Sequence, residues 1–335
     1  MADRHQRAAT IYDVARAAGV SHQTVSRFLT GTGGIRPANR VRVEEALRTL
    51  NYRTNATARS LATRRTHRLG ALVHELSGTG PGKTMQGASD AARRAGYSLD
   101  IISLDTSDDV ELADALDALG SRDLEGILAT APTDEVDAAL RTLDLPIPIH
   151  IDRGGERTGG SSAVGTRLVV SHLLELGHRR IAHLAGPEPW ISAQDRARTY
   201  RECMADAGLP ALPLAHGDWS SRSGYAAAPQ LFADPGVTAV VAANDRMALG
   251  LLLWLHDNGR RIPEDVSVVG FDDIAEAEFF HPPLTTVRQD FTAMGRASAL
   301  ALIALVEESS RAGVVDYPAP ELVVRASTAP PTHVS

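Results

Sequence analysis

The sequence predicts two unlike parts: a small all-α head of helix-turn-helix type, and a larger α/β body of two lobes built on parallel sheets. Charge is the first observation behind this division. Residues 1–68 hold 13 arginines against four acidic residues (Asp3, Asp13, Glu44, Glu45), whereas the rest of the chain holds 21 basic against 37 acidic residues. A basic head on an acidic body is the asymmetry of a head that meets a polyanion. The second observation is that apolar residues in the head recur at helical spacing. The third is that from Leu69 onward short apolar runs alternate with helical stretches, the pattern of parallel strands covered on both faces. About 260 residues is large for one open sheet, so two lobes are expected.

In the head, Thr10 and Asp13 have the spacing of a capping box. Ile11, Val14, Ala15 and Ala18 then share one helix face, and Gly19 is placed to end the helix in the left-handed conformation. Ser21 is a fresh N-cap for a second helix over about His22–Leu29, with Val25 and Leu29 inward and His22, Gln23, Ser26 and Arg27 largely outward. Residues 30–34 read as a Gly-rich loop. Pro37 suits the first turn of a third helix reaching about Leu50, with Val43, Leu47 and Leu50 inward. In a helix-turn-helix the second helix enters the major groove. Gln23 can bond adenine bidentately and Arg27 guanine, while Tyr12, Ser21 and Thr24 can hold phosphates. A three-helix protein-binding module with polar surface residues is the alternative.

The run TIYDVARAAGVSHQTVSRFL at residues 10–29, followed by Leu50-Asn51-Tyr52, resembles the N-terminus of the lactose repressor family of bacterial transcription factors. The resemblance implies that His22, Gln23 and Arg27 read bases. It also implies a hinge helix within residues 55–68, of the form N-x-x-A-x-x-L, matched by Asn55, Ala58 and Leu61. Small Ala58 would let two such helices approach, and Leu61 would wedge into the minor groove. A solvated linker is the plain alternative for so short a segment. Two departures stand out: Thr54 where the family often has proline, and Arg36 where Ser or Thr usually caps the third helix.

In the body, strands are expected at Leu69–His74, Tyr97–Ser103, Gly126–Ala129, Pro146–Ile151, Arg180–Ala185, Val237–Ala242 and Val266–Phe271. Helices are expected near 84–95, 109–120, 134–142, 164–176, 192–207, 221–233, 245–258 and 291–308. Ligands of such folds bind at the carboxyl ends of strands, here between lobes. Asp152 follows one strand, Asn244 and Asp245 another, Asp272 and Asp273 a third; Trp219 lies in HGDWS and Arg196 early in a helix. Carboxylates, an amide, a guanidinium and an indole suit a sugar: the polar groups grip vicinal hydroxyls and the indole packs on the ring. Each also has a structural reading: Asn244 as an N-cap, Asp272 as a turn former, Trp219 as a core aromatic.

The family resemblance continues through ELGHRRIAHLAGP (175–187), GDWS (217–220), ANDRMALG (243–250), DVSVVGFDD (265–273) and PPLTTVRQDF (282–291). It implies a body like periplasmic sugar-binding proteins, with two lobes and three crossovers. By position, Asp152, Arg196, Asn244 and Asp272 would hold ligand hydroxyls, Trp219 and Phe291 would stack on the ring, and Gln289 would lie at the crossover. The domains implied are 1–54, a hinge at 55–68, and a core at 69–335. Its first lobe takes about 69–161 and 291–318, its second about 162–290 and 319–331. After the first strand this chain has Leu76-Ser77-Gly78-Thr79-Gly80, where bulkier apolar residues stand in the family member closest in motifs. Gly78 and Gly80 are therefore expected to leave room, Thr84 to add a hydroxyl, and Thr130 replaces an amide.

Composition excludes other classes. With 43% hydrophobic and 22% charged residues the chain is neither collagenous, coiled-coil nor largely disordered. No apolar run approaches a membrane span and the N-terminus lacks a signal-peptide core, so a cytoplasmic location is expected. Cys203 is the single cysteine, which excludes an intrachain disulfide. There is no P-loop, no G-x-S-x-G and no H-E-x-x-H. His172, His178 and His183 fall on no common helix face, and GGSSAVG (159–165) reads as a connection. No enzyme activity, metal or cofactor is expected. The expected partners are double-stranded operator DNA, a sugar effector (a galactoside or other β-glycoside) and a second copy of the chain, since one subunit supplies one recognition helix. The tail RASTAPPTHVS carries no heptad, so the expected assembly is a dimer. A purine effector, or a sugar-binding protein without a DNA role, are the alternatives.

Overall fold

The structure is a computed structural model that describes residues 9–30, 34–52, 65–104, 114–115, 118–119, 123–130, 133–142, 145–152, 160–308 and 317–332. The chain divides between Thr66 and His67 into two compact units. The expected hinge residues Asn55, Ala58 and Leu61 lie outside the described residues.

In the first unit, α1 (Ile11–Ala18) opens with the expected capping box. The Thr10 hydroxyl accepts from the Asp13 amide, and the Asp13 carboxylate accepts from the Thr10 amide at 2.9 Å. Gly19 closes the helix at φ 62°. Ser21 Oγ accepts from the Thr24 amide at 3.2 Å, opening α2 (His22–Thr30). Helix α3 (Pro37–Thr49) starts on proline, and Arg36 before it makes no side-chain cap. Val14, Ala15, Ala18, Val25, Val43 and Ala46 form the buried core of the three helices.

The second unit holds two parallel sheets of four strands. In the first lobe, β1 (Arg68–His74), α4 (Thr79–Arg94), β2 (Ser98–Leu104), β3 (Gly126–Thr130), α5 (Asp134–Thr142) and β4 (Ile149–Asp152) give the strand order β2-β1-β3-β4. The second lobe runs through α6 (Ser161–Glu175), β5 (Ile181–Ala185), α7 (Ile191–Asp206), β6 (Ala215–His216), α8 (Ser221–Leu231), β7 (Ala239–Ala242), α9 (Asp245–Asp257) and β8 (Ser267–Val269). Its order, β6-β5-β7-β8, repeats the first. The inner strands of both sheets are buried and apolar on both faces because helices cover each side. In the second lobe, Val170, Tyr200 and Met204 pack on one face and Ala228, Leu251 and Leu255 belong to the core on the other.

After β9 (Thr286–Arg288) the chain crosses to the first lobe, where α10 (Phe291–Val306) packs Ala299, Leu302 and Ile303 against Met85, Ala88 and Ala92 of α4. It returns as β10 (Glu321–Val323), antiparallel to β9. The segments 319–332 then strap the second lobe: Ser327 Oγ donates to Val268 O, and Ala329 N donates to Ser267 Oγ at 3.0 Å.

Some expected boundaries are corrected. Helix α4 begins at Thr79, earlier than the expected 84, because Pro81 suits a first helical turn and tolerates no continuing strand. Ser161–Gly165, read above as a connection, is the first turn of α6, with Gly160 at its N-cap. Strands β6, β9 and β10 span only two or three residues, too short to show alternation, and were not expected. Most of the expected helix 109–120 lies outside the described residues.

Two helix pairs approach closely through reciprocal glycines. A Cβ on Gly87 of α4 would stand 1.9 Å from Thr292 O of α10, and one on Gly295 of α10 would stand 1.8 Å from Thr84 O of α4. Gly224 and Gly250 do the same between α8 and α9. Backbone cannot yield as a side chain can, so the helices must separate. Gly87→Ala and Gly295→Ala should each cost about 3 kcal/mol of unfolding free energy, read by urea denaturation of the full chain. A loss below ~0.5 kcal/mol would show that the pair tolerates separation.

Candidate functional site

Two surfaces bring together the residues singled out above. On the head, Tyr12 is exposed and its ring centre lies 5.3 Å from that of His22. Ser21, His22, Gln23 and Arg27 are exposed, and Gln23 and Arg27 stand four apart on one side of α2. The hydroxyls of Ser21 and Thr24 bond each other at 2.9 Å.

In the second unit, a cleft of about 970 Å³, part of it continuous with solvent, opens between the two sheets. Its walls are the segments that leave the carboxyl ends of strands: residues after β1 from the first lobe, and residues after β5, β6, β7 and β8 from the second. The first lobe adds Phe291 and Met294 from α10. This is the switch-point position that doubly wound sheets leave open.

The second-lobe wall is organised by Arg196, which is buried in the second turn of α7. Its guanidinium lies 3.8 Å from the Phe271 ring centre and 5.6 Å from that of Trp219. One nitrogen donates to Ala243 O, and another stands 3.8 Å from the Asp272 carboxylate. Burial pulls the Arg196 pKa below its ordinary value, and Asp272 is the chief opposing charge. Asp272 sits at φ 105°, a strained conformation for a residue with a Cβ. Burial pushes its carboxyl up to about 6, against the pull of Arg196 and of Gln289, whose Nε2 donates to it at 3.0 Å.

Asn244 serves two purposes. Its Oδ1 accepts from Met247 N at 2.8 Å, capping α9, while its Nδ2 donates to Trp219 O at 3.1 Å. Trp219, itself at φ 70°, lays its ring on Gly186, where a Cβ would be 2.3 Å away. Two buried donors here, Arg196 Nε and Trp219 Nε1, have no partner among the described residues.

Arg196, Trp219, Asn244, Asp272, Gln289 and Phe291 all line the cleft. Asp152 does not: its carboxylate accepts from Ser298 Oγ at 2.7 Å and Tyr317 OH at 3.1 Å, which tie β4 to α10 within the first lobe. Gly78 and Gly80 line the cleft, as expected of small residues there, and each also packs closely on protein: a Cβ on Gly80 would meet the Phe291 ring at 3.1 Å and one on Gly78 would meet Glu75 O at 3.1 Å. Thr84 is buried and outside the cleft lining.

Residues missed from sequence include Trp190, Ser192 and Asp195, which line the cleft from the start of α7. Only Ser192, four residues before Arg196, had a helical spacing that could have signalled it. Asp245 was noted only as a strand-end residue. It is fully buried, with Oδ1 accepting from Thr286 Oγ1 at 2.6 Å and Oδ2 from Ile274 N at 2.9 Å. Burial first, and the nearby Asp272 charge second, push its carboxyl up to about 8. His178 and His183 are buried and bonded to main chain and hydroxyls, and burial pulls His183 down to about 4. Cys203 is buried, which pushes its thiol up. Among the described residues no three metal-ligating side chains cluster, and no helix is long and apolar enough to cross a membrane.

A helix-turn-helix unit followed in the chain by a separate two-lobed core with an interlobe cleft defines a DNA-binding regulator with an effector domain. Residues 10–55 match the lacI family of bacterial regulatory proteins, and residues 170–328 match the periplasmic binding protein-like domain. The chain is 32% identical over 329 residues to the lactose operon repressor of Escherichia coli (strain K12), covering 96% of this chain and 91% of that one. It is 33% identical to the repressor PurR of Vibrio parahaemolyticus, over 95% and 98% of the two chains. Among solved structures, the lac repressor dimer bound to operator and the anti-inducer ONPF superposes with a TM-score of 0.83 at 30% identity, over 96% of this chain and 100% of that one. A complex of the regulator CelR with cellobiose gives 0.69 at 31% identity, over 95% and 99%. The chain belongs to the lacI family of transcriptional regulators, a family of DNA-binding repressors and not of enzymes.

The raised carboxyls fix a pH dependence. The folded core keeps protons that the unfolded chain, with carboxyls near 4, has already released, so stability falls as pH rises towards 8 and levels off above it. Buried neutral histidines act oppositely, since their stability is lost as pH falls below about 6.5. Between pH 6.5 and 8.5, therefore, wild-type unfolding free energy should fall by about 2 kcal/mol, and Asp245→Asn should flatten that slope, as read by denaturant titration at each pH. An unchanged slope in the variant would assign the dependence to another group.

Proposed function

We propose that this regulator binds a palindromic operator as a homodimer and is released by a sugar inducer, a galactoside or other β-glycoside. The observation that carries the sugar reading is the Trp219 indole in the cleft wall beside Arg196, Asn244, Asp272 and Gln289. A flat apolar face suits the C–H face of a pyranose, and the carboxylate, amides and guanidinium suit its hydroxyl edge. Phe291 offers a second apolar surface from the opposite lobe. The cellobiose complex of CelR supports the glycoside class, whereas the likeness to PurR keeps a purine as the competing effector.

On the DNA side, His22, Gln23 and Arg27 are the proposed base-reading residues, and Tyr12, Ser21 and Thr24 the phosphate contacts. Asn55, Ala58 and Leu61 are proposed as the hinge. Coupling then requires only that sugar and operator favour different states of one dimer, at a typical cost of about 1–3 kcal/mol.

Arg27→Ala should weaken binding to the fragment upstream of the regulator's own gene by about 1–3 kcal/mol at fixed salt, measured by gel shift. Unchanged affinity would remove Arg27 from base reading. Trp219→Ala should weaken sugar binding by about 1–3 kcal/mol in calorimetry with lactose, galactose and cellobiose, with operator binding intact. Loss of both functions with a lowered unfolding temperature would make Trp219 a core residue, and heat only with a purine base would replace the sugar.

A further inference from the structure

Helix α7 lines two cavities. Ser192, Asp195 and Arg196 belong to the wall of the interlobe cleft. At about 3.6 residues per turn, Ala193, Gln194, Ala197 and Arg201 fall on the opposite side of the helix. There they form one wall of a second cavity, of about 520 Å³ and partly open to solvent. The other wall comes from the carboxyl ends of two strands: Gly186 and Glu188 after β5, and Leu214 and His216 at β6. None of these residues lines the cleft.

The second cavity pairs an apolar floor with a charged rim. Ala193 and Ala197 are buried and Leu214 is half-buried, whereas Glu188, Gln194, Arg201 and His216 are exposed. His216 Nδ1 donates to Gly186 O at 3.0 Å, and its Nε2 stands 3.5 Å from the Glu188 carboxylate. Gln194 Nε2 donates to Glu188 O at 3.0 Å, which ties the turn after β5 to α7. Arg198 on the same helix pairs with Asp195 and Glu202. Arg201 has no hydrogen bond or ion pair among the described residues. Positive potential gathers here: burial holds the nearby His183 ring low, and Arg196, His216 and Arg201 act on it in the same direction as like charges.

A planar guanidinium matches two oxygens of a carboxylate or phosphate. An amide and an imidazole beside it suit hydroxyls, and the alanine and leucine floor suits a short carbon chain. The volume is that of a small-molecule site. We propose that this cavity is a second binding site, separate from the interlobe cleft, for a small organic anion whose phosphate or carboxylate group lies on Arg201. Glu188 is the acidic residue of the lining. It repels such a ligand, so it limits the affinity that Arg201 supplies. The inference does not depend on which effector occupies the cleft.

The test is calorimetry of the full chain at fixed salt with glycerol 3-phosphate, malate and inorganic phosphate, on wild type, Arg201→Gln and Glu188→Gln. At least one of the two organic anions should bind wild type more tightly than inorganic phosphate does, and which one binds assigns the anionic group. Arg201→Gln should weaken that ligand about tenfold. Glu188→Gln should tighten it about threefold, an opposite sign that loss of structure would not produce. Both side chains are exposed, so both variants should keep the wild-type unfolding midpoint. No heat from either organic anion up to about 10 mM overturns the site. So does an affinity no greater than that for inorganic phosphate, or one that Glu188→Gln weakens. An affinity that Arg201→Gln leaves unchanged also overturns it, and places the anion on the arginine-rich head.

Discussion

Burial of one guanidinium shapes the ligand-binding half of this protein. An arginine taken out of water needs its charge and its donors answered, and a buried charge left unpaired costs several kcal/mol. Arg196 finds those answers in four residues from three different strand ends. Phe271 supplies a ring face, Ala243 a carbonyl, Asp272 a carboxylate, and Trp219 a second ring. Each of these is placed by something further out. Gln289 steadies Asp272, Asn244 holds the Trp219 backbone, and Gly186 gives the indole room to lie flat. A planar guanidinium can stack and hydrogen-bond at once, which a lysine ammonium cannot do.

That cluster is affordable only on a rigid frame. Asp245 anchors β7, the 270s loop and β9 through Ile274 N and Thr286 Oγ1, which sets the height of the strand ends. Its burial is the reason its carboxyl holds a proton well above the usual range. In the other lobe the reciprocal glycines draw α10 onto α4, so that Phe291 is delivered to the cleft at the first residue after the crossover. Asp152 contributes to the same frame from below: bonded to Ser298 and Tyr317, it fastens α10 to β4.

Much of this was legible in the sequence, and the parts that were not share a cause. The capping box at Thr10, the glycine stop at Gly19 and the proline start at Pro37 are local signals, and each appears where it was expected. The long strands and helices of the body are strongly patterned for the same reason. Asp152 was misplaced because a carboxylate at a strand end looks the same whether it faces a cleft or a tyrosine 165 residues away. The close approach of the Phe291 ring to Gly80 was not legible, because that ring arrives from the far side of a crossover. Ser192 could have been found by extending the face of Arg196 one turn towards the start of its helix, whereas Trp190 and Asp195 lie off that face and left no such signal. The two- and three-residue strands depend wholly on their neighbours and leave no pattern of their own.

The origin of the cleft's two walls bears on how a ligand can act at a distance. A ligand shifts an equilibrium only by the difference in its affinity for the two states. Contacts confined to Arg196, Asn244, Asp272 and Trp219 all belong to one lobe and move together, so they would hold a ligand equally well in either arrangement. Groups from the other lobe can report its position: Glu75 after β1, Gly78 to Pro81 leading into α4, and Phe291 and Met294 on α10. These two helices are the pair locked by Gly87 and Gly295, so a displacement of one must carry the other. On the proposed function, the buried polar set would select the molecule, and the first-lobe wall, Glu75 and Thr79 included, would set what binding does to the arrangement of the lobes.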